Sequence, residues 1–187
     1  MNNENIFMEE YALVLDCIYR PKAKSSDLMA QVLGKKYFTL LEVIPARQLE
    51  TFETIYVGKE KRDAIVSVKK RISYDDLTGS AKAELEAAIE KIVNEDKKRF
   101  LDFYNTSVPI SVKMHQLELL PGIGKKHLNQ VLTEREKKPF DSFEDIEKRI
   151  PLLPNPLKLI VKRILTEITN PNEKYYLFVR PYKKKRF

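Results

Sequence analysis

The run Leu120-Pro121-Gly122-Ile123-Gly124-Lys125-Lys126 gathers residue types suited to holding an anion. Pro121 stops a helix. Gly122 and Gly124 admit positive φ and leave the backbone bare, so a flat or charged ligand can approach it closely. Ile123 plugs the space between two flanking helices. Lys125 and Lys126 open the second of these, whose N-terminus carries unpaired N–H groups and a partial positive charge. The chemistry expected is phosphate binding, by the N–H groups of Gly122 and Gly124 and the side chains of Lys125 and Lys126. His127 adds a third donor or is an ordinary exposed helix histidine.

Positioning this run takes helices on both sides. Upstream, Ser111 to Leu119 carries Val112 and Leu117, with Leu120 beyond, near helical spacing; downstream, His127 to Glu136 carries Leu128, Val131 and Leu132. One such pair cannot bury its own apolar faces, so a second is expected. Ser142 with Asp145 makes a capping box before Phe143, Ile146 and Ile150. Asn155 caps a last helix with Pro156 in its first turn, burying Leu157, Ile160, Val161, Ile164, Leu165 and Ile168. The turn Leu152-Leu153-Pro154-Asn155 lacks paired glycines, which assigns this second pair to packing. A long helix from Gly79-Ser80 to about Asn105 has acids leading and bases trailing, in line with the helix dipole, and reads as a connector between domains.

Before Leu77 the chain reads as β-rich. Tyr11 to Tyr19, Lys36 to Ile44, Thr54 to Val57 and Asp63 to Ile72 are strand candidates, with Pro21, Pro45 and Gly58 as stops. In the last of these Ala64, Val66, Val68 and Ile72 share one face, leaving Lys69 and Arg71 solvated on the other. Ser25-Ser26-Asp27 opens a short helix through Leu28, Met29, Val32 and Leu33, stopped by Gly34. Four or five short strands in so few residues fit a small barrel rather than a sandwich. Tyr175 to Val179 is a further strand candidate that docks on one of the domains. The fold class is therefore α+β: a small β-barrel over 1–78, a connecting helix over 79–107, a helical domain over 108–170, and a strand and basic tail over 171–187.

The formal charge is +7, and Arg180, Lys183, Lys184, Lys185 and Arg186 supply five of it, leaving +2 for the rest. The body is nearly balanced, with local patches and a basic arm. The arm suits nucleic acid, bound by counterion release without sequence information, or an acidic protein surface. A second basic patch lies on the barrel: Lys59, Lys61 and Arg62 after Gly58, then Lys69 and Arg71, with Tyr37, Tyr56 and Tyr74 near in sequence. Single-strand binders pair such grooves with aromatic platforms, while charged edges also serve simply to keep strands from aggregating.

Cys17 stands alone, so no intramolecular disulfide forms and a cytoplasmic setting is expected. No apolar run approaches the ~20 residues of a membrane span, and the start Met1-Asn2-Asn3-Glu4-Asn5 has no apolar signal stretch. His115, His127 and Cys17 do not make a metal set, and no phosphate-cradling Walker loop is present. Asp75-Asp76 reads as helix capping rather than a Mg²⁺ pair. No catalytic residue, metal or cofactor is expected.

The hydrophobic-Pro-Gly-hydrophobic-Gly core at 120–124 resembles the helix-hairpin-helix family, which grips nucleic-acid backbones with little sequence preference; Leu128 departs from the small residue many members have. Tyr37 to Glu42, Arg71 to Thr78, His115 to His127, Pro139 to Asp145 and Glu173 to Phe178 together resemble an uncharacterised archaeal family, domain of unknown function 655. That resemblance implies a barrel of oligonucleotide-binding type followed by helix-hairpin-helix elements, and a nucleic-acid-binding protein. Base-excision glycosylases share the hairpin and need a downstream Asp; Asp141 has roughly that spacing but sits beside a helix cap. The reading is a non-catalytic nucleic-acid-binding protein, RNA favoured over DNA, with structured RNA or duplex DNA as ligand and a ribosomal or other nucleoprotein complex as its setting. The alternatives are a protein–protein adaptor and a DNA- or RNA-processing enzyme.

Overall fold

The computed structural model describes residues 8–20, 27–170 and 172–181. The chain is mixed α+β and divides into two compact units, 1–88 with 167–187, and 89–166. The divisions fall between residues 88 and 89 and between residues 166 and 167.

The first unit holds a curled five-stranded antiparallel sheet, a half-barrel, in the order β4-β1-β2-β3-β5. Its strands are β1 (Tyr11–Arg20), β2 (Asp27–Gly34), β3 (Leu40–Pro45), β4 (Thr54–Tyr56) and β5 (Ile65–Arg71). Strands 4-1-2-3 make a Greek key. One face buries Ala12, Val14, Ala30, Val32, Val43 and Ile55 against Leu49 and Val57. The intervening residues Leu13, Leu15, Met29, Gln31 and Leu33 are buried too. This two-sided burial explains why β2 is a strand and not the helix its spacing suggests: an unbroken apolar run fits either. Gln31 binds the stretch that leads to α1 (Gly79–Glu95), donating to the Asp76 carbonyl at 2.9 Å and accepting from the Thr78 N–H at 2.8 Å. Asp76 itself caps a 3₁₀ turn by accepting from the Ser73 N–H and hydroxyl, as its sequence implied.

β5 departs from its expected alternation. Pairing with β3 skips Val66 between Ile44↔Ser67 and Pro45↔Ile65, and this irregularity shifts the phase. Ile65 turns inward and Val66 is 66% exposed. Tyr175 to Val179 does not form a strand. Three of its amides go instead to one buried carboxylate: Glu167 accepts from Leu177, Phe178 and Val179 at 2.8, 3.0 and 2.9 Å. Glu9 does the same for the β2–β3 turn, accepting from Lys36, Tyr37 and Thr39 at 2.9, 2.9 and 3.2 Å.

The second unit is helical. The expected long helix is interrupted at Asp96 (φ −124°), which separates α1 from α2 (Lys97–Thr106). The helix expected over Ser111–Leu119 is a small hairpin, β6 (Pro109–Ser111) with β7 (Met114–His115), followed by a 3₁₀ turn at Gln116–Leu119. His115 starts that turn. Its Nδ1 accepts from the Leu117 N–H at 3.1 Å while its own N–H donates to Glu118 at 2.8 Å. Then come α3 (Lys125–Lys137), α4 (Phe143–Arg149) and α5 (Pro156–Thr169). Tyr104 anchors this core, its hydroxyl donating to the Pro156 carbonyl at 2.8 Å and its ring meeting Phe143 edge-on. Burial pushes its phenol far above the usual range. Arg135 of α3 closes the C-terminus of α2, donating to the Tyr104 and Ser107 carbonyls at 3.0 and 2.9 Å.

Candidate functional site

The approach to α3 is a turn in which the Ile123 N–H donates to the Leu120 carbonyl at 3.1 Å, with Pro121 second and Gly122 third at φ +93°. Proline at the second position and positive φ at the third are the marks of a type II turn. Only Gly122 needs a glycine conformation. Gly124 is extended (φ −93°, ψ −178°) and serves as the N-cap of α3, so of the two glycines that admit positive φ only Gly122 uses it. What Gly124 supplies is space, since a Cβ placed there meets nothing within 4 Å. Having no side chain, it also cannot cap. The amides of Gly124, Lys125, Lys126 and His127 therefore have no acceptor among the described residues.

The side chains around this terminus differ in availability. Lys126 is exposed and has no partner among the described residues. Lys125 is held at the rim, its Nζ 2.7 Å from Glu118 and 3.0 Å from the Lys113 carbonyl. The Lys125 ammonium in turn keeps the Glu118 carboxyl below the ordinary range. His127 turns back on the loop, its Nδ1 3.2 Å from the Gly122 carbonyl. Ile123 is buried, so it fills the gap between helices and does not face a ligand.

The second turn repeats the first. The Leu153 N–H donates to the Ile150 carbonyl at 3.3 Å, with Pro151 second and Leu152 third at φ +71°. Its helix, however, is closed by a side chain: Asn155 Oδ1 accepts from the Lys158 N–H at 2.9 Å. One helix N-terminus of the pair is open and the other is filled.

In the first unit a cleft opens between the end of β5, the 73–75 turn and the C-terminal segment, lined by Arg71, Ser73, Tyr74, Asn170, Tyr176 and Arg180 among others. Arg71 donates to the Arg180 carbonyl, and the Arg180 N–H donates to the Tyr37 carbonyl at 3.0 Å.

A family model described as "Protein of unknown function (DUF655)" matches residues 8–180. The chain belongs to this family. Uncharacterized protein MJ0038 of Methanocaldococcus jannaschii is 42% identical over 176 residues, which is 92% of this chain and 80% of the relative. The crystal structure of Af1531 from Archaeoglobus fulgidus, of the same family model, matches with a TM-score of 0.84 at 45% identity, over 92% of this chain and 100% of that one.

In this DUF655 chain the expected site residues are divided between the two units. Gly122, Gly124, Lys125, Lys126 and His127 gather at α3. Lys59 and Lys61 are exposed in the β4–β5 loop, where Lys61 lies 3.9 Å from Asp63. Arg62 folds inward to donate to the Gly58 carbonyl at 2.7 Å. Lys69 is exposed but pairs with the buried Glu42 at 2.9 Å. Arg71 is half-buried in the cleft rather than solvated, because the 175–180 segment docks over the end of β5. Arg180 belongs to that docked segment, not to a free arm, whereas Lys183, Lys184, Lys185 and Arg186 lie outside the described residues. Asp141 sits in an exposed ion pair with Lys138. Among the described residues no group of His, Cys, Asp and Glu is placed to hold a metal, and no helix is long and apolar enough to cross a membrane. Sequence reasoning missed Glu118, whose position before the hairpin gave no sign that it neutralises Lys125. It also missed the exposed tips Val112 and Leu152, whose apolar type pointed inward.

Proposed function

We propose that this protein is a non-catalytic nucleic-acid-binding protein that holds backbone phosphate at the N-terminus of α3. The observation that carries the reading is the contrast within one unit. The α3 terminus offers amides of residues 124–127 without acceptors, open space at Gly124 and an unengaged Lys126, while the matching α5 terminus is capped by Asn155. On this reading the two Pro-turn units are helix-hairpin-helix elements, the first binding and the second packing. The half-barrel is an opened barrel of oligonucleotide-binding type: its Greek-key order fits, and the β4–β5 loop that such barrels turn to their ligand carries Lys59 and Lys61. RNA is favoured over DNA because small barrels and runs of basic residues such as 183–186 suit RNA. A ribosomal or other nucleoprotein complex is the setting proposed.

Fluorescence anisotropy with single-stranded RNA, duplex RNA and duplex DNA over a salt series tests this. The expected result is salt-dependent binding, strongest with RNA, that weakens in Lys126→Glu. The slope in that variant should be shallower by roughly 0.7–0.9 log units per log unit of salt for each phosphate it no longer neutralises. Absence of binding to all three at low salt would refute the reading and leave the basic surface to an acidic protein partner.

A further inference from the structure

The two Pro-turns differ where their shared geometry is most demanding. The third position of a type II turn favours glycine, and the first turn has Gly122 there at φ +93°. The second has Leu152 at φ +71°, and its side chain is 85% exposed. A large apolar residue in a conformation suited to glycine, with no burial to offset it, is an outlier the fold itself does not explain.

Its surroundings connect it to the open α3 terminus. A Cβ on Gly122 would lie 3.5 Å from Pro154 and 3.9 Å from Leu159, so the second turn runs directly beside the first. On the other side, the bond from Lys125 to the Lys113 carbonyl ties down the β6–β7 tip, where Val112 is fully exposed. The two exposed aliphatic tips thus lie on loops that contact the first turn and the first residue of α3. Across residues 111–126 and 147–158 the exposed charges are Lys113, Lys125, Lys126, Lys148 and Lys158 against one acid, Glu147. Glu118 is paired with Lys125, while Glu147 accepts from the neutral Asn155 amide at 2.7 Å and keeps its charge. Apolar tips amid an excess of exposed cations fit a polyanion better than an apolar protein surface.

We propose that Leu152, aided by Val112, is a wedge that enters the minor groove of a duplex nucleic acid whose phosphates are held at α3. The proposal rests on the phosphate-binding reading above. Minor-groove proteins press aliphatic side chains between base steps in this way and hold the backbone with cations alongside. The recognised class is double-stranded nucleic acid, read by groove shape rather than by base edges.

The test is anisotropy of the full chain with a 20-base-pair duplex and the matching single strand, over a salt series, with urea unfolding of each variant alongside. Leu152→Gly suits the turn and keeps the fold. It is expected to unfold at higher urea yet bind duplex about five- to tenfold more weakly, because the apolar side chain is gone from the groove. Its salt slope is expected to match wild type, because no charge is removed. Leu152→Met restores affinity, and Leu152→Asn, which tolerates the backbone, does not. Unchanged duplex affinity in Leu152→Gly, while Lys126→Glu still weakens it, would overturn the wedge and leave the phosphate site intact. Equal weakening on duplex and single strand would also overturn it. No binding by wild type would sink the underlying reading as well.

Discussion

Exchanging residues between the two Pro-turns gives opposite effects on stability that follow from backbone geometry alone. Gly122→Ala places a Cβ at φ +93°, with its nearest neighbours at 3.5 and 3.9 Å, which is ordinary van der Waals distance. No clash contributes, so the cost is conformational: about 1–2 kcal/mol for an L residue in this region, less about 0.4–1 kcal/mol because alanine restricts the unfolded chain. The net loss is centred on about 0.8 kcal/mol, within a span of about 0–1.6 kcal/mol. Leu152→Gly runs the other way from φ +71°. It relieves about 1–2 kcal/mol and costs about 0.5–1 kcal/mol in unfolded-chain entropy, a net gain centred on about 0.75 kcal/mol within a span of about 0–1.5 kcal/mol. Because Leu152 is exposed, little packing is forfeited. Urea unfolding of wild type and both variants, followed by circular dichroism, reads the two shifts in midpoint. The reasoning fails if Leu152→Gly lowers the midpoint, or if Gly122→Ala leaves it unchanged.

Other consequences follow from the same geometry. Glu118→Gln keeps the acceptor for the His115 N–H but releases Lys125 from its ion pair, so anisotropy should show tighter duplex binding and a salt slope steeper by about 0.9. Glu167→Gln replaces one acceptor oxygen by a donor facing amides that Glu167 now satisfies. It should cost about 2–4 kcal/mol and raise hydrogen exchange at Leu177, Phe178 and Val179; protection equal to wild type there would count against the capping role. His115 is held below its ordinary value of 6.5, first by burial and then by the Arg135 charge, and must be neutral to accept the Leu117 N–H. Below pH 6.5 the unfolded chain therefore binds a proton that the folded chain refuses, and stability falls as the pH drops toward the depressed value. Urea midpoints from about pH 7.5 down should show this decline above the carboxylate range, and His115→Asn should flatten it.

Much of the fold is written locally. Strands β1, β3 and β4 stand between clear stops, and Ser142 and Asn155 cap the helices they announce. The misreadings share a cause, which is that tertiary partners choose between locally equivalent options. Leu28, Met29, Val32 and Leu33 satisfy a helix face as well as a strand buried on both sides, and only pairing with β1 and β3 decides. Tyr175 to Val179 has strand composition, but Glu167 satisfies its amides before any strand can. The skipped residue Val66 turns outward and Ile65 inward without any mark in the sequence, while Ala64, Val68 and Ile72 keep the expected side. At the candidate site the glycines, the lysines and the turn were legible. The division of labour was not: Gly122 bends, Gly124 opens space, Ile123 packs, and Glu118 holds one of the two lysines. Those roles depend on residues brought in from 111–118 and 152–159.

The central claim is that the amides opening α3 bind phosphate, and amide chemical shifts during titration with duplex RNA test it most directly. The account predicts that Gly124, Lys125, Lys126 and His127 shift together and saturably. It also predicts that the α5 terminus, where Asn155 already occupies the Lys158 N–H, responds less. Saturable binding that leaves those four amides unmoved would contradict it.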